Sequence, residues 1–227
     1  MMAKIQPGFV LCDLDGTLID SVPDLAYCVD EMMRELGLPM RGELSVRDWV
    51  GNGVERLVQR ALINSVEGMP DAALFEKAMP IFARLYLVDN SKRSCVYDGV
   101  FEGLAWLKEQ GYRLACVTNK AEAYTIPLLR DKKLLDLFEL VVSGDTCSAK
   151  KPSPIPLLYA AEKMGIAPEN ALMIGDSVSD VKAARAAHFH IICMSYGYNH
   201  GVDIRLENPD AVIDSMTELP NLIATLK

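Results

Sequence analysis

The sequence has no stretch approaching the roughly 18 consecutive apolar residues of a membrane span, so no transmembrane helix and no membrane partner are expected. Met1-Met2-Ala3-Lys4-Ile5-Gln6-Pro7 lacks the apolar segment of a secretory leader, which points to a cytoplasmic protein. Cysteine pairs are absent. The six cysteines (12, 28, 95, 116, 147 and 193) are scattered and form no C-x-x-C, which argues against a zinc ribbon or a disulfide framework. Several lie in apolar runs and read as buried free thiols of a reducing compartment. The three histidines (188, 190 and 200) make no metal-ligand pattern. Positive charge is in short supply: 23 Lys and Arg stand against 31 Asp and Glu, a net charge of −8, which disfavours nucleic acid as a partner. An anionic substrate would need local positive charge from a metal or a lysine. No internal repeat or low-complexity tract is visible, and no convincing strand pattern lies between residues 22 and 92.

Half of the 227 residues are hydrophobic, enough for one large domain or a core with a small insert. The chain is organised around Asp13-Leu14-Asp15-Gly16-Thr17-Leu18-Ile19-Asp20-Ser21. Before it runs Phe9-Val10-Leu11-Cys12, apolar enough for a buried parallel strand. Side chains alternate along a strand, so Asp13 and Asp15 point to one side and Leu14 to the other. Gly16 permits a sharp turn. Two crowded carboxylates repel unless a proton or cation relieves them, and the natural cation for all-oxygen ligands is a hard divalent metal, Mg²⁺ first.

After Ser21 the apolar period becomes helical, with Pro23 suited to a first turn and Gly37 to a stop. A Gly51-Asn52-Gly53 break precedes a helix over residues 54–62, and residues 71–90 form another, expected to bend or break at Pro80. From residue 99 helix and strand alternate, with strands over 113–117, 140–143, 171–174, 190–194 and a short one at 211–213 before a C-terminal helix. Such alternation predicts an α/β fold, a doubly wound parallel sheet with right-handed crossovers. A helical cap domain over residues 21–92 is then inserted after the first strand of a core made of residues 1–20 and 93–227. Ligands of such sheets sit beyond the carboxyl ends of the strands. Four polar groups fall there: Asp13/Asp15, Thr118/Asn119, Lys150-Lys151-Pro152 and Asp176/Asp180. Singly each is a common turn or cap; in this order, each after an expected strand, they form a specific set.

Asp13-Leu14-Asp15-Gly16-Thr17-Leu18, with those later groups, resembles the signature of the haloacid dehalogenase-like superfamily, whose phosphatases use an aspartate nucleophile. The resemblance covers nearly the whole chain. It implies Asp13 as nucleophile and Asp15 as general acid and base. It also implies a Mg²⁺ ion held by Asp13, Asp176 and the Asp15 carbonyl. Thr118, Asn119 and Lys151 would bind the substrate phosphate, and Asp180 would orient Lys151 or a water on the metal without touching the metal itself.

Within the superfamily, Val50-Gly51-Asn52-Gly53 with Arg56 to Leu62, Lys150 to Pro154, Ile174 to Asp180 and Tyr196-Gly197-Tyr198-Asn199 are similar to the bacterial phosphoglycolate phosphatases. That likeness implies a small phosphorylated substrate, 2-phosphoglycolate, and a monomer or homodimer. The cap turn at Asn52 and Gly53 would offer backbone N–H groups to the substrate's carboxylate. A phosphosugar mutase or a sugar-phosphate phosphatase of the same superfamily is the alternative, and a non-catalytic binding module is disfavoured by the complete carboxylate set. His188 stands where the family usually has glycine after the helix ending at Ala187, so a left-handed residue is expected there.

Overall fold

The computed structural model describes residue 5 and residues 7–223. Most of the segment read for a leader, Met1-Met2-Ala3-Lys4 and Gln6, and the last four residues lie outside the described residues. Strand β1 (Phe9–Cys12) runs through the middle of a six-stranded sheet. Five further strands complete it: β4 (Arg113–Val117), β5 (Leu140–Val142), β6 (Ala171–Gly175), β7 (His190–Met194) and β8 (Ala211–Ile213). Their order is β5-β4-β1-β6-β7-β8, and every pairing is parallel. The doubly wound α/β reading is therefore correct.

A central parallel strand is buried on both faces, which is why β1 is apolar throughout and not alternating. Val10 and Cys12 face Leu104 and Leu107 of α5 (Val100–Glu109), while Phe9 and Leu11 face the layer of α7 (Ile155–Met164) and α8 (Val178–Ala186). β1 pairs in register with β4 on one side and β6 on the other, so Cys12 lies level with Cys116 and Ile174. The three strands thus end together. The residues that follow them, from Asp13, Thr118 and Asp176, emerge on one edge of the sheet.

Four helices lie between β1 and α5: α1 (Val22–Glu35), α2 (Gly42–Trp49), α3 (Val54–Ile63) and α4 (Ala72–Asp89). They bury an apolar cluster of their own, with Met32, Met33, Val58, Phe82 and Tyr86 fully enclosed. Helix α4 is not interrupted at Pro80. Proline forfeits one backbone hydrogen bond, but Ala78, Phe82 and Tyr86 pack their shared face on both sides of it and carry the helix through. The two crossings into and out of these helices pair as a short antiparallel ribbon, β2 (Ile19–Asp20) with β3 (Cys95–Val96). The sequence gives no periodic signal for strands so short.

The remaining helix of the core, α6 (Glu122–Asp131), is followed by a 3₁₀ turn over Leu135–Leu137. The C-terminal helix is the single turn α9 (Leu219–Leu222) among the described residues. His188 has φ +61°, the left-handed geometry expected of that position. All six thiols are free; four are buried, Cys147 is half-buried and Cys95 is exposed. Among the described residues no helix is long and apolar enough to cross a membrane.

Candidate active site

Three carboxylates meet where β1 and β6 end. One oxygen each of Asp13, Asp176 and Asp180 lies within 4.8 Å of the others, and all three residues are buried. Asp13 and Asp176 follow their strands directly; Asp180 sits in the first turn of α8 and closes a capping box with Ser177. Its Oδ2 accepts from the N–H groups of Asp176 and Ser177 and from the Ser177 hydroxyl at 2.7 Å. Asp180 Oδ1 accepts from Lys151 Nζ at 2.7 Å.

Lys151 Nζ also lies 2.9 Å from Asp13 Oδ1 and donates to the Val117 carbonyl at 2.8 Å. Its three hydrogens are thereby used, and Asp13 and Asp180 hold its pKa above the ordinary lysine value despite burial. Three carboxylates against one ammonium leave two net negative charges in a buried site. Burial raises the Asp13 carboxyl to about 7, with Lys151 opposing and Asp180 adding to the rise. Burial, then Asp180 and Asp13, push Asp176 well above the carboxylate range. Thr17, which donates to Asp176 Oδ1 at 2.7 Å, and the Tyr198 N–H, 2.6 Å from Oδ2, only partly offset this. Hard oxygen ligands with two uncompensated charges fit a divalent cation.

Backbone geometry clears room for these groups. Gly16 has φ +88°, and a Cβ there would overlap the Asp176 carboxylate; a Cβ on Gly197 would do the same. Asp15 turns its carboxylate away from the cluster. Its two oxygens lie 3.0 and 3.2 Å from Lys120 Nζ, and that ammonium also donates to the Tyr86 hydroxyl on α4.

A small cavity opens over this floor. Asp13, Asp15, Thr118, Asn119 and Lys120 line it from the sheet; Leu25, Val50, Gly51, Gly53, Val54 and Leu57 line it from the helical insert. Its free volume of about 40 Å³ holds about three waters, or one small anion. Gly53 has φ +87° and starts α3. A Cβ on it would lie 3.0 Å from Lys150 Nζ.

Most of the residues singled out in the sequence therefore converge: Asp13, Asp15, Thr118, Asn119 and Gly53 line the cavity, with Lys151, Asp176 and Asp180 clustered at Asp13. Two differ from expectation. The Asn119 amide is not available to a phosphate, because its NH₂ donates to the carbonyls of Gly51 (3.0 Å) and Lys151 (2.9 Å) and its Oδ1 accepts from the Lys151 N–H. It ties the helical insert to the Lys151 loop instead. Asn52 is half-exposed and does not line the cavity; the glycines on either side do. Sequence reasoning passed over Lys120, Tyr86, Thr17 and Tyr198. A cation directly after Thr118-Asn119 was a readable signal for Lys120. Tyr86 carries none, because an aromatic at helical spacing reads as packing.

A doubly wound sheet whose first strand delivers a carboxylate to a buried, cation-fitting acidic cluster, beneath a helical insert, defines a hydrolase of one superfamily. The sequence matches the haloacid dehalogenase-like hydrolase family over residues 10–194, and the chain belongs to that family. It is 63% identical over 219 residues to a phosphoglycolate phosphatase of Nitrosococcus oceani, covering 96% of this chain and 97% of the other. Identity to a phosphoglycolate phosphatase of Nitrosospira multiformis is 47%, over 94% of each chain. Among solved structures, a predicted phosphoglycolate phosphatase from Haemophilus somnus superposes with a TM-score of 0.88 at 33% identity, covering 95% of this chain and 97% of that one.

Proposed function

We propose that the protein is a Mg²⁺-dependent phosphatase that hydrolyses 2-phosphoglycolate to glycolate and phosphate through an aspartyl-phosphate on Asp13. The observation that carries this reading is the buried cluster of Asp13, Asp176 and Asp180 with Lys151, whose Asp13 also lines the cavity under the helical insert. The substrate rests on the relatives named above, similar to this chain over nearly its whole length.

Lys151, held by Asp180, keeps Asp13 ionised and aimed. An Asp13 oxygen attacks phosphorus, the bond from phosphorus to the ester oxygen breaks, and Asp15 gives its proton to the departing glycolate oxygen. Asp15 then takes a proton from the water that attacks the aspartyl-phosphate, releasing phosphate and restoring Asp13. The Thr118 hydroxyl and the Asn119 main-chain N–H are the donors for the phosphoryl oxygens. Mg²⁺ bound by Asp13, Asp176 and the Asp15 carbonyl supplies charge neutralisation for the approach of one anion to another. Residues 21–92 act as a cap on a core of residues 1–20 and 93–227, with Asn119 and Tyr86 bridging the two, and exclude bulk water during turnover. The turn at Asn52 and Gly53 contributes backbone to the roof of the site.

Phosphate release from a panel of small phosphate esters with Mg²⁺ tests the assignment. Expected is 2-phosphoglycolate as the best substrate and none turned over by Asp13→Asn. Preference for hexose phosphates, or phosphate transfer without release, would replace the reading with the mutase or sugar-phosphate alternative.

A further inference from the structure

The proposed substrate carries a second anionic group, and the roof of the cavity offers it no charge. Leu25, Val50, Gly51, Gly53, Val54 and Leu57 contribute only apolar side chains and backbone. Two arginines of the insert, on the helices that flank the roof turn, are engaged elsewhere: Arg47 with Asp20 and Glu43, Arg56 with Gln59 and the carbonyls of Val66 and Gly68. Lys151 spends its hydrogens on Asp13, Asp180 and Val117. Among the described residues lining the cavity, Lys120 is the one cation.

Its side chain is only 2% exposed, pinned between the Asp15 carboxylate and the Tyr86 hydroxyl. Position matters more than charge alone. Asp15 is to protonate the ester oxygen, and in 2-phosphoglycolate the carboxylate carbon is two bonds beyond that oxygen. An ammonium 3.0 Å from Asp15 therefore lies beside the group that must meet the ester oxygen, within reach of a carboxylate only two bonds further on. We propose that Lys120 is the specificity-determining residue that reads the carboxylate of the substrate, a role that rests on the phosphoglycolate assignment above. Tyr86, on α4 and packed against Phe82 and Tyr124, fixes the ammonium from the cap side, so the recognition element is built from core and insert together. A buried charged hydrogen bond lost on one substrate but not on another is worth about ten- to a hundred-fold in discrimination.

The test compares kcat/KM for 2-phosphoglycolate and for ethyl phosphate, which has a methyl group in place of the carboxylate, in the full-length enzyme with Mg²⁺. Lys120→Met slows both substrates, because Asp15 loses its partner, but the ratio favouring phosphoglycolate is expected to fall by at least about tenfold. Lys120→Arg should keep most of the ratio. Lys120→Gln, which can still bond Tyr86, gives the same comparison should the Met variant fold poorly. Equal losses on both substrates, or collapse of the ratio in Lys150→Met with Lys120→Met unaffected, would overturn the role of Lys120 while leaving the substrate assignment intact. A wild-type enzyme with no preference for phosphoglycolate would overturn both.

Discussion

The floor and the roof of the cavity are built on different principles. On the floor each carboxylate of the cluster is held by named partners: Asp180 by Ser177 and Lys151, Asp176 by Thr17 and Tyr198, and Asp13, through Oδ1, by Lys151 and the Leu14 N–H. The roof is glycine and aliphatic side chains on helices that bury a separate cluster. Rigid, preorganised charge suits the bond-breaking step, whose demands are the same for any phosphate ester. A roof of backbone and hydrocarbon sets size and exclusion, which differ from substrate to substrate. At the cavity the two regions touch through Asn119 to Gly51 and Lys120 to Tyr86.

Substitutions of Asp13, Asp176, Asp180 and Lys151 on the floor should therefore strike all substrates alike, and those in the roof, together with Lys120, should alter preference. The largest effect is expected for Asp13→Asn, with turnover of every ester down by at least about a thousand-fold. Its thermal midpoint in the presence of a chelator should be equal to or above wild type, because the substitution removes one of the buried carboxyl groups whose ionised forms repel each other. A lower midpoint, measured by calorimetry, would show that the bare cluster is not under repulsion.

Chelation comes next: activity should vanish with EDTA and return with Mg²⁺, the melting temperature moving down and then up with it. Lys151→Met leaves Asp13 and Asp180 without their cation and should destabilise the fold by about 3–5 kcal/mol, readable by urea unfolding, together with a uniform loss of rate. Gly53→Ala probes the roof. With φ +87° it should cost about 1 kcal/mol or more in stability and reduce phosphoglycolate turnover more than that of an aryl phosphate. Equal reduction would make the turn a support and not a reader. Tyr86→Phe removes one hydrogen bond from an ammonium that keeps Asp15, so about 1 kcal/mol of stability and a few-fold change in kcat/KM are expected.

The same division explains what the sequence revealed. Strand β1 is apolar over all four residues and is followed by two carboxylates and a glycine, so both the sheet and its ligand edge could be read without coordinates. Register then brings Thr118 and Asp176 to Asp13, because β4 and β6 flank β1. The roof was legible as helical texture broken by the turn at residues 51–53. Which of Gly51, Asn52 and Gly53 faces the cavity depends on how α2 and α3 join, and periodicity carries no information about that. The role of Asn119 was misjudged for a related reason: its amide is consumed by a carbonyl of the insert, 68 positions away. Likewise Lys120 acquires its meaning from Tyr86, whose helix spacing advertises only burial.

Everything chemical in this account depends on a phosphoryl group passing through Asp13. Mass spectrometry of peptides from enzyme acid-quenched during steady turnover of 2-phosphoglycolate with Mg²⁺ measures that directly. The prediction is one added phosphoryl group on the peptide holding Asp13, removed by hydroxylamine and absent from Asp13→Asn. Full turnover with no label on that peptide, or with the label on a different residue, would contradict it.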